Sequence, residues 1–264
     1  MAQRYAACPV TSHGYQAMVA ALRAAGCVFA EDEASLLLGE SLSPADLQGA
    51  LSRRIAGEPL EQVLGWVSFR GLRIHLDPGV FVPRRRTEFL AATAIGLVAG
   101  VPRPVVLDLC CGSGAVGAAV LAHIPDAQLH AVDIDPNAVA CAIRNVGPRA
   151  WTGDLFDPLP STLRETVHVV VANVPYVPSA ALSRLPSEAR DYEPRVALDG
   201  GADGLDVARR VVAQVAHWLR PGGSLLIETS DEQATAMAGL FESGGLRARI
   251  EQCDEVGATI VVGS

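Results

Sequence analysis

Asn173-Val174-Pro175-Tyr176 closes a buried apolar run, Val167 to Ala172, and is the segment of the chain with the most chemistry to offer. A carboxamide, a residue held extended by the proline after it, and a phenol ring together suit a site that receives an amino group. Upstream, Asp108-Leu109-Cys110-Cys111-Gly112-Ser113-Gly114-Ala115-Val116-Gly117 follows a second apolar run and opens a helix. Gly112 and Gly114 let the backbone turn tightly and pass close to a ligand at a helix N-terminus. With Gly117 they also spell G-x-G-x-x-G, a dinucleotide-binding pattern that is weak when it stands alone. Asp133, about 20 residues beyond the loop, suits a carboxylate accepting both hydroxyl hydrogens of a ribose. Asp135 precedes Pro136 and reads as a helix cap. Asp154, with Leu155 and Phe156, follows the third strand position, where an acid and apolar neighbours can hold an adenine edge and face. Loop, ribose acid and adenine acid in that order indicate an adenosine-bearing cofactor. A nicotinamide enzyme would need hydride-transfer residues after the fourth strand, where this chain has Asn173 to Tyr176.

The elements that must position these groups follow from periodicity. Residues 1–64 read as a small helical domain, with Met18, Val19, Leu22, Leu36 to Leu38, Leu47, Leu51 and Ile55 at three-to-four spacing. Ser43-Pro44 starts one of its helices. Residues 65–85 form a linker in which Trp66 to Phe69 and Leu72 to Leu76 alternate around Arg70-Gly71 as a β-hairpin does. Residues 86–264 alternate strand and helix, which predicts a mostly parallel, doubly wound α/β sheet. Two final strands, about 246–252 and 257–262, have no helix between them, so one of them runs antiparallel.

The chain has 264 residues, 50% of them hydrophobic, and a net charge of −8. That balance supplies a sizeable core and argues against a long nucleic-acid backbone as partner. No apolar run reaches the roughly 18 residues of a membrane span. The N-terminus lacks the pattern of a leader, so a cytoplasmic, monomeric protein is expected. Every basic residue is arginine, which reflects coding bias more than function. Cys8, Cys27, Cys110, Cys111, Cys141 and Cys253 form no C-x-x-C pair, so they read as reduced core residues and no metal is expected.

The ordered segments resemble the class I S-adenosylmethionine-dependent methyltransferases, and specifically the protein-(glutamine-N5) methyltransferases of the HemK/PrmC type. The resemblance runs over nearly the whole chain. It includes Gly57-Glu58-Pro59-Leu60, Leu64-Gly65, Phe69-Arg70-Gly71-Leu72, Val82-Pro83-Arg84 and Thr87-Glu88. Asp108 to Gly114, Asp133, Asp154 to Phe156, Asn173 to Tyr176 and Glu193-Pro194 continue it, followed by Asp203 to Leu205 and Leu219 to Gly223. It implies S-adenosyl-L-methionine as cofactor, held by Asp108, Cys110, Cys111, Gly112, Ser113, Gly114, Asp133, Asp154, Leu155 and Asn173. It implies a protein acceptor, the glutamine of the Gly-Gly-Gln motif in peptide-chain release factors, recognised with the help of the helical domain. Asn173, Val174, Pro175 and Tyr176 would then be catalytic.

The chain departs from the family pattern at several points. Valine stands at 174 where the family motif is Asn-Pro-Pro-Tyr. Cys110-Cys111 replaces Gly-Thr, Arg84-Arg85-Arg86 stands where the family has Arg-Pro-Glu, and Glu228-Thr229-Ser230 replaces Glu-Ile-Gly. These changes mark a divergent member and leave other readings open: a nucleic-acid exocyclic-amine methyltransferase, or a cofactor-binding module without turnover. The basic triplet reads equally as a solvated turn or as a contact with cofactor or acceptor.

Overall fold

The computed structural model describes residues 12–264. Four helices come first: α1 (Ser12–Ala24), α2 (Ala30–Gly39), α3 (Pro44–Ile55) and α4 (Leu60–Leu64). The hairpin β1 (Trp66–Phe69) and β2 (Leu72–His75) follows, then α5 (Thr87–Val98), β3 (Val105–Leu109), α6 (Ala115–His123), β4 (Gln128–Asp133), α7 (Pro136–Val146), β5 (Ala150–Thr152) and β6 (Val167–Ala172). Last are α8 (Ser187–Tyr192), α9 (Asp206–Val215), β7 (Leu219–Thr229), α10 (Asp231–Ser243), β8 (Ala248–Cys253) and β9 (Ala258–Gly263).

One seven-stranded sheet has the order β5-β4-β3-β6-β7-β9-β8. Strands β3 to β7 run parallel, and β9 lies antiparallel between β7 and β8. The doubly wound fold read from the sequence is therefore the observed one, with its antiparallel strand at the end of the chain. Every residue of β3 is buried, as a strand covered on both faces requires. Helices α5, α6 and α7 cover one face through Leu90, Ala94, Val120 and Ala142. Helices α9 and α10 cover the other through Val211, Val215, Met237 and Phe241. Strand β7 extends back to Leu219, with a register shift opposite Val167–Val169, so the strand is longer than the Ser224–Thr229 segment the sequence suggests.

The hairpin is more than a connection. Val67, Phe69, Ile74 and Leu76 belong to the same buried cluster as α5 and α6. The helices before it pack around Leu22, Ala34, Leu37 and Leu51. Leu36 and Ile55, expected on that apolar face, are instead 42% exposed. Ser43 Oγ accepts the Asp46 N–H at 3.2 Å and caps α3, as expected. Near the end of α3, Arg54 is buried and reaches both carboxylate oxygens of Glu33, at 2.6 and 3.1 Å. Its Nη1 also donates to Glu188 of α8, at 2.6 Å. Tyr192 Oη donates to the Ala56 carbonyl at 3.0 Å, so α8 is fastened to the first helices at two points.

Among the described residues no helix is long and apolar enough to cross a membrane, and no group of side chains could hold a metal ion. Cys27, Cys110, Cys111, Cys141 and Cys253 are free thiols, and Cys8 lies outside the described residues.

Two expected outcomes follow from buried charges. Glu33→Gln leaves Arg54 with Glu188 as its remaining carboxylate, so urea unfolding should show a loss of about 2 to 3 kcal/mol. Asp108, on β3, is 2% exposed and accepts the Gly117 N–H at 2.9 Å. Burial pushes its carboxyl from 3.8 up to about 7, against that hydrogen bond. The unfolded chain thus loses the proton that the native state keeps, and this acid lowers stability as pH rises from about 4 to about 7. Asp108→Asn keeps an acceptor for Gly117. Its stability relative to the parent should be lowest near pH 4 and rise through this window, as measured by unfolding at a series of pH values.

Candidate active site

Strand β3 is paired with β4 on one side and β6 on the other, so successive connections leave it in opposite directions. The carboxyl ends of strands at such a reversal open a crevice. Here the crevice is a cavity of about 1110 Å³, bordered by Cys110 and Gly112 after β3, Asp133 on β4, Asp154 and Leu155 after β5, Asn173 to Tyr176 after β6, and Thr229 on β7.

On the β3–β4–β5 side, the turn after β3 is made by Cys110 at φ +54°, Gly112 at +54° and Gly114 at +76°. Cys110 and Leu155, two non-glycine residues with left-handed backbone, both border the cavity, and such strain persists where the surroundings impose it. A side chain at Gly112 would project into open space, which is the room a ligand against the loop needs. Asp133 accepts the Gly112 N–H at 2.8 Å on one oxygen and the Asp135 N–H at 2.9 Å on the other. Each oxygen keeps acceptor capacity for one more hydrogen, which fits the two hydroxyls of a ribose. Burial pushes this carboxyl up, and the two backbone N–H groups oppose it. Ile134 is 50% exposed beside Asp133 and borders the cavity, an apolar surface suited to the face of a base. These residues fit an adenosine-bearing group.

Four expected cofactor residues do not border the cavity. Asp108 turns inward to hold the first turn of α6 through Gly117. Cys111 is buried, with its N–H on the Val132 carbonyl at 3.0 Å. Ser113 is buried, with its carbonyl held by Asn145 at 2.8 Å. Gly114, at φ +76°, lies tight against α7, where a Cβ would stand 3.1 Å from that of Ala142. All four build the loop from behind. Asp154 does border the cavity, but its carboxylate is paired with Arg210 of α9 at 2.5 Å. Asp135 caps α7 through the Asn137 N–H at 2.8 Å, as expected. Burial, reinforced by Asp133 and Asp108, pushes the Cys110 thiol up, so it is no nucleophile.

On the β6–β7 side, Val174 is 1% exposed and packs among Leu205, Ala208 and Ile227, so the core absorbs the valine side chain. The loop Asp199–Leu205 closes over the next two residues. A Cβ at Gly204, where φ is +81°, would stand 2.2 Å from the Tyr176 carbonyl oxygen, so only glycine allows this approach. Gln233 Nε2 holds that same oxygen at 3.0 Å.

The side chains here form two hydrogen-bonded sets, Glu228–Arg86–Tyr176 and Thr87–Asn173. Glu228 of β7 is fully buried, and its Oε1 accepts Arg86 Nε at 3.1 Å. Burial pushes its carboxyl up, opposed by the Thr87 hydroxyl and Arg86. Glu228 Oε2 is buried with no hydrogen-bond partner among the described residues, while Thr87 Oγ1 accepts from Asn173 Nδ2 at 3.3 Å. The Asn173 amide is thereby oriented, and its oxygen stays free. Arg86 Nη2 also donates to Tyr176 Oη. Burial pushes the Tyr176 hydroxyl up to about 12, so the ring is a neutral phenol.

Thr87, Glu228 and Arg210 are the functional candidates the sequence reading missed. Arg86 was visible as a departure from the family pattern and left open as a contact, and Glu228 as a position that keeps it, but their pairing across 142 positions was not. Of the basic triplet, Arg84 binds both oxygens of buried Glu193, at 2.7 and 2.6 Å, Arg86 binds Glu228, and Arg85 is exposed.

Residues 71–185 match the family described as the methyltransferase small domain. A release factor glutamine methyltransferase of Geobacter sulfurreducens is 37% identical over 230 residues, spanning 84% of this chain and 79% of its own. A 4-amino-L-phenylalanine/4-methylamino-L-phenylalanine methyltransferase of Streptomyces pristinaespiralis is 35% identical over 201 residues, 73% of this chain and 68% of its own. Among solved structures, the T. thermophilus 16S rRNA N2 G1207 methyltransferase has a TM-score of 0.54 at 21% identity, over 75% of this chain and 49% of that one. That likeness speaks for the fold alone. The sequence identity, sustained over more than two thirds of the chain, makes this protein a member of the release factor glutamine methyltransferase family.

Proposed function

We propose that the protein methylates the side-chain amide nitrogen of a glutamine in a peptide-chain release factor, with S-adenosylmethionine as methyl donor. The observation that carries this reading is the fixed amide of Asn173, whose Nδ2 is committed to Thr87. S-adenosylmethionine supplies an electrophilic methyl group on a sulfonium centre. Gly112, Asp133, Ile134 and Leu155 would hold its adenosine portion, since they border the cavity together.

A carboxamide nitrogen is a poor nucleophile, because its lone pair is shared with its own carbonyl. Holding it in line at about 3 to 3.5 Å from the reacting carbon supplies much of what is missing. Asn173 Oδ1 would accept one N–H of the acceptor amide, and the Val174 carbonyl the other. Val174 precedes proline and is biased towards an extended backbone, so this carbonyl keeps its direction without the family's first proline. Tyr176, pinned by Arg86, shields the reacting groups from water. A methylated amide nitrogen still bearing both hydrogens is a strong acid, so it loses one to bulk water as the product leaves the shielded site, without a protein base.

We assign residues 86–264 to the transferase domain, 65–85 to the hairpin that joins its core, and 1–64 to recognition of the protein acceptor. The contacts of Arg54 and Ala56 with α8, which borders the cavity, support that last role.

Transfer of labelled methyl to a purified release factor tests the activity. Label should appear on the parent release factor and vanish when its Gly-Gly-Gln glutamine is replaced. Asn173→Ala should lower kcat by about a hundredfold or more, with cofactor affinity within about threefold of the parent. Asp133→Ala should instead raise the cofactor Kd by about tenfold or more in calorimetry. Equal loss of cofactor affinity in both variants would refute these roles.

A further inference from the structure

Ser113 stands in the loop after β3 between two left-handed glycines, Gly112 at φ +54° and Gly114 at φ +76°. Glycine turns freely about its own bonds, so the path of the backbone between the two has to be fixed by contacts from outside. The front of the loop has such contacts with β4: the Cys111 N–H reaches the Val132 carbonyl at 3.0 Å, and the Gly112 N–H reaches Asp133 at 2.8 Å. The next contact along the chain is the Ser113 carbonyl, which accepts Asn145 Nδ2 of α7 at 2.8 Å. Among the described residues Ser113 has no other hydrogen bond, and its hydroxyl is buried without a partner. The back of the loop is thus referred to α7 by one side-chain amide.

Asn145 gives the rest of that amide to the hairpin. Its Oδ1 accepts the His75 N–H at 2.8 Å, and Nδ2 also donates to the His75 carbonyl at 2.9 Å. The amide pairs with the last residue of β2 as a neighbouring strand would, and still reaches the loop. One acceptor and two donors in a plane is the set that a primary carboxamide carries, and a carboxylate of the same shape lacks both donors. The surrounding face of α7 serves the same two neighbours. Cys141, one turn earlier, donates to the His75 carbonyl at 3.4 Å, and Ala142 packs against Gly114.

We propose that Asn145 is a positioning residue for S-adenosylmethionine, joining the hairpin to the back of the glycine loop so that the loop holds its binding shape before the cofactor arrives. Asn145 does not border the cavity, and it acts through the loop, of which Cys110 and Gly112 do. A loop that is already ordered loses less freedom on binding, so releasing it should be read in cofactor affinity. Asn173 to Tyr176 lie after β6, outside this set of contacts. The inference concerns the cofactor and needs no particular acceptor.

The test uses two variants of the full chain. Asn145→Asp keeps the acceptor for the His75 N–H and removes both donors, while Asn145→Ala removes all three bonds. The Kd of S-adenosylhomocysteine, read by calorimetry, should rise about tenfold in each. Without ligand, the backbone amides of residues 112–116 should exchange hydrogen faster than in the parent, and saturation with S-adenosylhomocysteine should narrow the difference. Arg144→Gln is the control. Arg144 holds Asp77 at 3.0 Å and the His75 ring from the same helix without touching the loop, so its Kd should stay within about twofold of the parent. In label transfer the KM for S-adenosylmethionine should rise about tenfold in Asn145→Asp, with kcat within about threefold. An unchanged Kd in Asn145→Asp would overturn the proposal, whether or not Asn145→Ala folds. An equal rise in Arg144→Gln would also overturn it, by assigning the effect to the seating of the whole hairpin. A parent enzyme that labels no release factor counts against the glutamine acceptor, and the calorimetry still decides the role of Asn145.

Discussion

The burial of β3 on both faces is the constraint on which the site depends. A strand of five buried residues cannot lie at an edge, so it must have a partner on each side and helices above and below. The chain meets this by winding to β4 and β5 in one direction and to β6 and β7 in the other. The connections diverge at the carboxyl end of β3, and the cavity is the space they leave. Asp108 holds the start of α6 to the end of this strand, which keeps the glycine turn from collapsing into the opening.

A second constraint acts inside the cavity wall. A buried carboxylate needs a partner, and Glu228 takes Arg86 from the segment that starts α5. That demand draws Arg86, and with it the adjacent Thr87, to the end of β6, where one fixes Tyr176 and the other fixes the Asn173 amide. Two side chains of the motif are thus oriented by one acid outside it. The same pairing explains how an arginine fits at position 86: its charge is balanced from behind rather than by solvent.

The first helices are joined to this apparatus through α8. Arg54 lies between Glu33 of α2 and Glu188 at the cavity wall, so packing of the first helices and position of the wall are linked by one guanidinium. The hairpin adds a second link, since Trp66 and Arg73 both reach Glu40 while the opposite face of β1 is buried with α5 and α6.

The α/β order, most element boundaries, the caps at Ser43 and Asp135, and the strand ends that carry Asp133 and Asn173 are legible in the residues alone. Periodicity, proline and glycine act over a few residues, so a linear reading reaches them. Which loop residues face the cavity depends on contacts distant in sequence. Asp108, Cys111, Ser113 and Gly114 lie in the same run as Cys110 and Gly112, and the turn after β3 sends them behind it because successive residues of a tight turn point in different directions. The partners of Asp154, Arg84 and Arg86 depend on such contacts too. Those pairings join residues from 56 to 142 positions apart, and charge complementarity at that range has no local signal until the sheet brings the strand ends together.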